Sequence, residues 1–61
     1  MAQITEKELS ALGDLLSFEQ TCIAKCHAAA SATTDTTLSD TYNQMAARHQ
    51  RHFDELYTNL K

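Results

Sequence analysis

Apolar residues recur at alternating steps of three and four over two long stretches of the chain. In the first, Leu9, Leu12, Leu16, Ile23, Cys26 and Ala30 follow that rhythm, with Glu19 standing in the same row. Such spacing places side chains along one side of an α-helix. Leu15, Cys22 and Ala29 widen the row on one edge, and Gly13 lies off it. In the second stretch Leu38, Tyr42, Met45, His49, His52, Leu56 and Asn59 keep the rhythm, and Ala46, Phe53 and Leu60 widen it. Between the two, "SATTDTT" at 31–37 is short, polar and rich in hydroxyls. Such side chains compete with helical hydrogen bonding and favour turns and caps. The pattern predicts helices over about 5–31 and 38–60.

The ends of the helices carry their own signals. Thr5 with Glu8 three residues on reads as a capping box, with Ile4 and Leu9 as its hydrophobic staple. Thr37 with Asp40, or Asp35, can cap the second helix. Each helix would span about 35–40 Å at about 1.5 Å per residue. A connection this short makes them antiparallel neighbours. Each apolar row is broad enough for two neighbours. The fold class expected is therefore all-α: an antiparallel helical hairpin, a single unit over 1–61, that dimerises into a four-helix bundle.

Size supports a partner. A chain of 61 residues sits below the length of about 70–80 residues at which one core suffices without a staple, metal or second chain. The net charge of −3, with no basic block, suits neither nucleic acid nor an anionic membrane surface. No apolar run approaches the about 20 residues of a membrane span. The opening "MAQITEKELS" lacks the basic-then-apolar order of a signal peptide, so export by that route is not expected. Cys22 and Cys26, four apart on a helix, read as reduced thiols of an intracellular protein.

Chemistry enters through "ARHQRHFDEL", residues 47–56. Folding the hairpin about residue 34 sets Glu19 and His49 at one height, each fifteen residues away. His52 comes one turn further, opposite Leu16. An imidazole pair at i, i+3 projects from one side of a helix. Two neutral imidazoles and a carboxylate form a common donor set for zinc or non-haem iron. The competing reading is a buried Glu19–His49 hydrogen-bonded pair that only fixes register. Cys22, three after Glu19, and Glu55, three after His52, could add donors. Otherwise the cysteines act as small core-filling hydrophobes. Met45 and Tyr42 read as packing, His27 as solvated beside the row, and Phe18 and Tyr57 as outer-face residues. A histidine phosphotransfer hairpin would expose its reactive imidazole, whereas both candidates here are expected to point inward.

"LLSFEQ" followed by "MAARHQRHFDELYTNL" resembles the small coat-F-like spore coat proteins of Firmicutes, especially the short clostridial forms, over residues 5–60. Those carry a "SYEQ"-like segment on one helix and an "HQxHFxxL"-like segment on the next. The homodimer is expected from the pattern; the resemblance implies a ferritin-like fold and a structural role in the spore coat with other coat proteins as partners. It implies a location in the cytoplasm, or in the coat after assembly. The diiron members of the ferritin-like pattern place Glu on one helix and Glu-x-x-His on the next, twice over. Glu19 matches the first and His52 the histidine, while His49 stands where the second Glu would be. A dimer then offers two carboxylates and four imidazoles, leaving two divalent ions with about +2 of uncompensated formal charge. That donor set suits zinc, copper, nickel or ferrous iron better than high-valent diiron chemistry. No catalytic signature accompanies it. The expectation is a structural bundle holding a transition metal ion (Fe or Zn) at Glu19, His49 and His52. The alternative is a redox or metal-storage protein using the same residues.

Overall fold

The computed structural model describes residues 4–59. It contains two helices, α1 over Glu6–Ala32 and α2 over Thr36–Thr58, packed as a hairpin.

The capping box starts α1 as the sequence predicts. Thr5 is extended, its Oγ1 accepts from the Glu8 backbone N–H at 3.1 Å, and Glu8 Oε1 accepts from the Thr5 N–H at 3.2 Å. Glu8 Oε1 also accepts from the Thr5 hydroxyl. Its carboxyl is held below its ordinary value, first by the hydroxyl and then by the backbone bond from Thr5.

The connection is only Thr33–Asp35. Thr33 is extended and its Oγ1 accepts from the Asp35 N–H at 3.1 Å. Of the possible caps, Asp35 takes the role: its carboxylate accepts from the Leu38 N–H at 3.1 Å. The first turn of α2 therefore begins two residues earlier than the pattern predicts. Across the turn, the Ser39 hydroxyl donates to the Ala30 carbonyl at 3.2 Å. That carbonyl belongs to the last turn of α1, where carbonyls have no intrahelical partner.

The packing row on α1 is the expected one from Leu12 onward: Leu12, Leu16, Glu19 and Ile23 are half-buried, and Cys26 and Ala30 are buried. Leu9, expected at the head of the row, is exposed, because α2 ends at Thr58 and leaves little opposite it. On α2, Tyr42, His49 and Leu56 keep their expected places and the positions between them shift by one. The inward residues are Ser39, Tyr42, Ala46, His49, Phe53 and Leu56, while Leu38, Met45, His52 and Asn59 remain exposed. Ala46 is 2 % exposed, the lowest value among the described residues. A methyl there lets the helix axes approach more closely than Met45 would allow. Leu60, read as widening this row, lies outside the described residues.

The molecule is a rod of 47 × 16 × 10 Å, one helix thick. Among the described residues, only Cys26, Ala30 and Ala46 are buried, and no large side chain is fully enclosed. Its accessible surface is 4803 Å². A compact monomer of this mass exposes about 3,950 Å², so the hairpin leaves about 850 Å² more in water. No helix among the described residues is long and apolar enough to cross a membrane.

Candidate metal centre

Glu19 is the midpoint of α1 and faces α2 from half-way along the rod. The tight turn centred on residue 34 makes α2 climb back in step, so His49 arrives at the same level. Glu19 Oε1 and His49 Nδ1 lie 2.6 Å apart. With Nδ1 protonated, the imidazole donates to the carboxylate, a short charge-assisted hydrogen bond. His52 adds its Nδ1 at 3.9 Å from the same oxygen, within ion-pairing range but beyond a hydrogen bond. The His49 and His52 rings meet edge to face, with centroids 5.7 Å apart.

Donor atoms of the three residues all fall within 4.8 Å of one another. A tetrahedral zinc ion holds nitrogen and oxygen donors at about 2.0–2.2 Å, which spaces them about 3.4 Å apart. The cluster thus needs His52 to close in and the Glu19–His49 pair, closer than that spacing, to part slightly. Removal of the shared proton leaves both groups as lone-pair donors. Exposure falls across the set in the order needed for a site with one wet side: the His52 side chain is 47 % exposed, His49 24 % and Glu19 12 %.

The wet side is a cleft of about 330 Å³ lined by Leu15, Glu19, His52, Glu55, Leu56 and Asn59. Among the described residues, Cys22 and Glu55 are not members of the three-residue cluster. Glu55 is exposed on the cleft wall, and Cys22 is a half-buried free thiol beside the packing row. Cys26 is free and buried, in keeping with a core-filling role.

No family model matches the chain, and no curated protein or solved structure matches it significantly.

Sequence reasoning treats Leu15 and Asn59 as packing residues only, yet both line the cleft. The available signal is the seven-residue step from His52 to Asn59, which keeps both on one flank of α2. His27 is exposed, and Phe53 stacks on Tyr57 with ring centroids 6.2 Å apart.

Proposed function

We propose that the chain is a metal-binding helical hairpin that pairs with a second copy into a four-helix bundle. Glu19, His49 and His52 hold one divalent transition ion, zinc or ferrous iron, per hairpin. The observation that carries this reading is the convergence of their donor atoms within 4.8 Å from two helices. Two imidazoles and one carboxylate match the preference of these ions for nitrogen and oxygen donors. Glu19 supplies the negative charge, His49 is held in place before loading by its bond to Glu19, which the ion replaces, and His52 closes from the cleft side. A bound ion would supply a cross-link between α1 and α2, or redox chemistry in the case of iron.

Pairing rests on the open surface. An excess of about 850 Å² is about what one partner contributes to a standard protein interface. A layer one helix thick leaves both broad faces of the hairpin without a second layer.

The primary role proposed is structural, as a bundle of the spore coat in contact with other coat proteins. That part rests on the resemblance carried by "LLSFEQ" and "HQRHFDEL". The second reading, a metal-storage or redox protein, is favoured by the cleft at His52 and Glu55, which leaves room for a further ligand.

The test is metal content of the tag-free protein after reconstitution, measured by mass spectrometry beside His49→Ala and His52→Ala. About one ion per chain in the wild type, and none in either variant, supports the reading. No ion in the wild type overturns it and leaves Glu19 and His49 as a register-fixing pair.

A further inference from the structure

We infer that metal binding and pairing are coupled: the second copy closes over the face on which the Glu19/His49/His52 cleft opens, so the ion is sealed at the interface. This rests on the metal-site reading above and adds its regulation and its partner.

The two broad faces of the hairpin differ. On one, α1 presents Leu15, Cys22 and Ala29 at steps of seven, and α2 presents Leu38, Met45 and His52 at the same step. Steps of seven keep residues on one flank of a helix. The cleft is lined by Leu15 together with His52 and Asn59, so these two flanks share a face. Leu15 is 49 % exposed, Leu38 47 % and Met45 38 %. The opposite flanks carry Gly13, Gln20 and His27 on α1, and Asn43, Gln50 and Tyr57 on α2. One face is thus apolar and contains the cleft, while the other is largely polar.

The occupant that fits the apolar face is a second copy of this chain. The surplus surface of about 850 Å² is close to one side of a standard interface, and among the described residues the hairpin without a partner fully encloses no large side chain. Glu19 sits at the midpoint of α1. Any pairing of two rods with full overlap therefore brings both Glu19 carboxylates to the same level, parallel or antiparallel.

Coupling follows from desolvation. Covering this face takes water away from His52, from the Glu19 carboxylate and from Glu55 on the cleft wall. Burying polar groups and charge without compensation is costly. An ion held by Glu19, His49 and His52 occupies the nitrogen lone pairs, and its +2 formal charge balances the carboxylates of Glu19 and of Glu55 on the cleft wall. The loaded cleft then carries no formal net charge, whereas the empty one buries two carboxylates. By linkage the effect is reciprocal, so pairing also tightens metal binding.

The experiment is sedimentation equilibrium of the full chain with Zn²⁺ alone or with chelator, and zinc content measured on the same samples. The expected result is a dimer constant tighter by about 5- to 150-fold with Zn²⁺, the usual span of coupling between sites. His52→Ala should abolish that shift. The double variant Leu38→Glu/Met45→Glu, checked for helicity by circular dichroism, should stay monomeric with Zn²⁺ yet still take up zinc, more weakly. One zinc per chain with an unchanged dimer constant overturns the coupling while leaving the metal site standing. Zinc-dependent pairing that survives the double variant overturns the assignment of the face. Absence of zinc from the wild type removes the site itself, and the coupling with it. Should the double variant lose its helicity, Leu38→Glu alone and the His52→Ala comparison decide the question.

Discussion

Glu19 and His49, thirty residues apart in the chain, meet at 2.6 Å between Oε1 and Nδ1. The bond joins the middles of two helices and fixes their relative register. Truncating one partner leaves the other polar and partly desolvated. Glu19→Leu should cost about 1–3 kcal/mol. The double variant Glu19→Leu/His49→Leu should recover most of that loss, since an apolar pair of similar volume avoids the desolvation penalty. Urea unfolding without metal, completed as a double-mutant cycle, measures both. A double variant as unstable as the sum of the singles would show that the two residues are not energetically paired.

Ala46 and Met45 provide the second comparison. Ala46 is 2 % exposed, whereas Met45 lies on the open face. Ala46→Leu should overfill the helix contact and cost about 1–3 kcal/mol. Met45→Ala should change the stability of the single hairpin by less than about 0.5 kcal/mol. Thermal unfolding at a concentration where the chain is monomeric separates the two. The opposite ranking would place Met45 in the packing row.

Much of this arrangement can be read from the residues. Thr5 and Glu8 announce the start of α1, and counting outward from residue 34 brings Glu19 to His49. The side of α2 that packs inward cannot be read in the same way. Its apolar row is two residues wide: Leu38, Met45 and His52 form one edge and Ser39, Ala46 and Phe53 the other, each with two apolar members and one polar one. Close approach of the helices favours the edge with alanine, a steric preference that depends on both helices together. The same shift leaves His52 half out of the packing row and opens the cleft beside it. The choice of Asp35 over Thr37 as cap is likewise set by tertiary structure, because Ser39 must reach the Ala30 carbonyl.

The turn yields a third expectation. Asp35→Ala removes the cap on the Leu38 N–H and should cost about 1 kcal/mol. Ser39→Ala leaves the Ala30 carbonyl without its donor and should cost about 0.5–1.5 kcal/mol. Both losses appear as lower denaturation midpoints with an unchanged denaturant dependence. A changed dependence would mean that the hairpin itself has rearranged.

Acid should act on the capping box at the other end of the rod. The Glu8 carboxyl is depressed below 4.5 in the folded chain, mainly by the Thr5 hydroxyl. A depressed value means that the unfolded state binds the proton more readily. The contribution of Glu8 is therefore present above 4.5 and is lost as the pH falls through the lower folded value. Amide resonances of Thr5 and Glu8 should shift over that range, and Glu8→Gln should remove the carboxylate-dependent part of the shift. Identical titrations in wild type and variant would exclude the capping box as the cause.

The distribution of buried residues along the rod has a kinetic consequence. Cys26, Ala30 and Ala46, and the Ser39–Ala30 tie, all lie on the turn side of Glu19 and His49. The other half relies on partly exposed leucines. Such a hairpin frays from its free ends toward the turn, because local opening follows the weakest packing. Amide hydrogen exchange should be slowest around 23–30 and 39–46 and should quicken toward both chain ends. An ion at the midpoint would act as a clasp on this motion. It would slow exchange in the frayed half and change the turn half little, so a bound metal would register as a redistribution of protection along the rod.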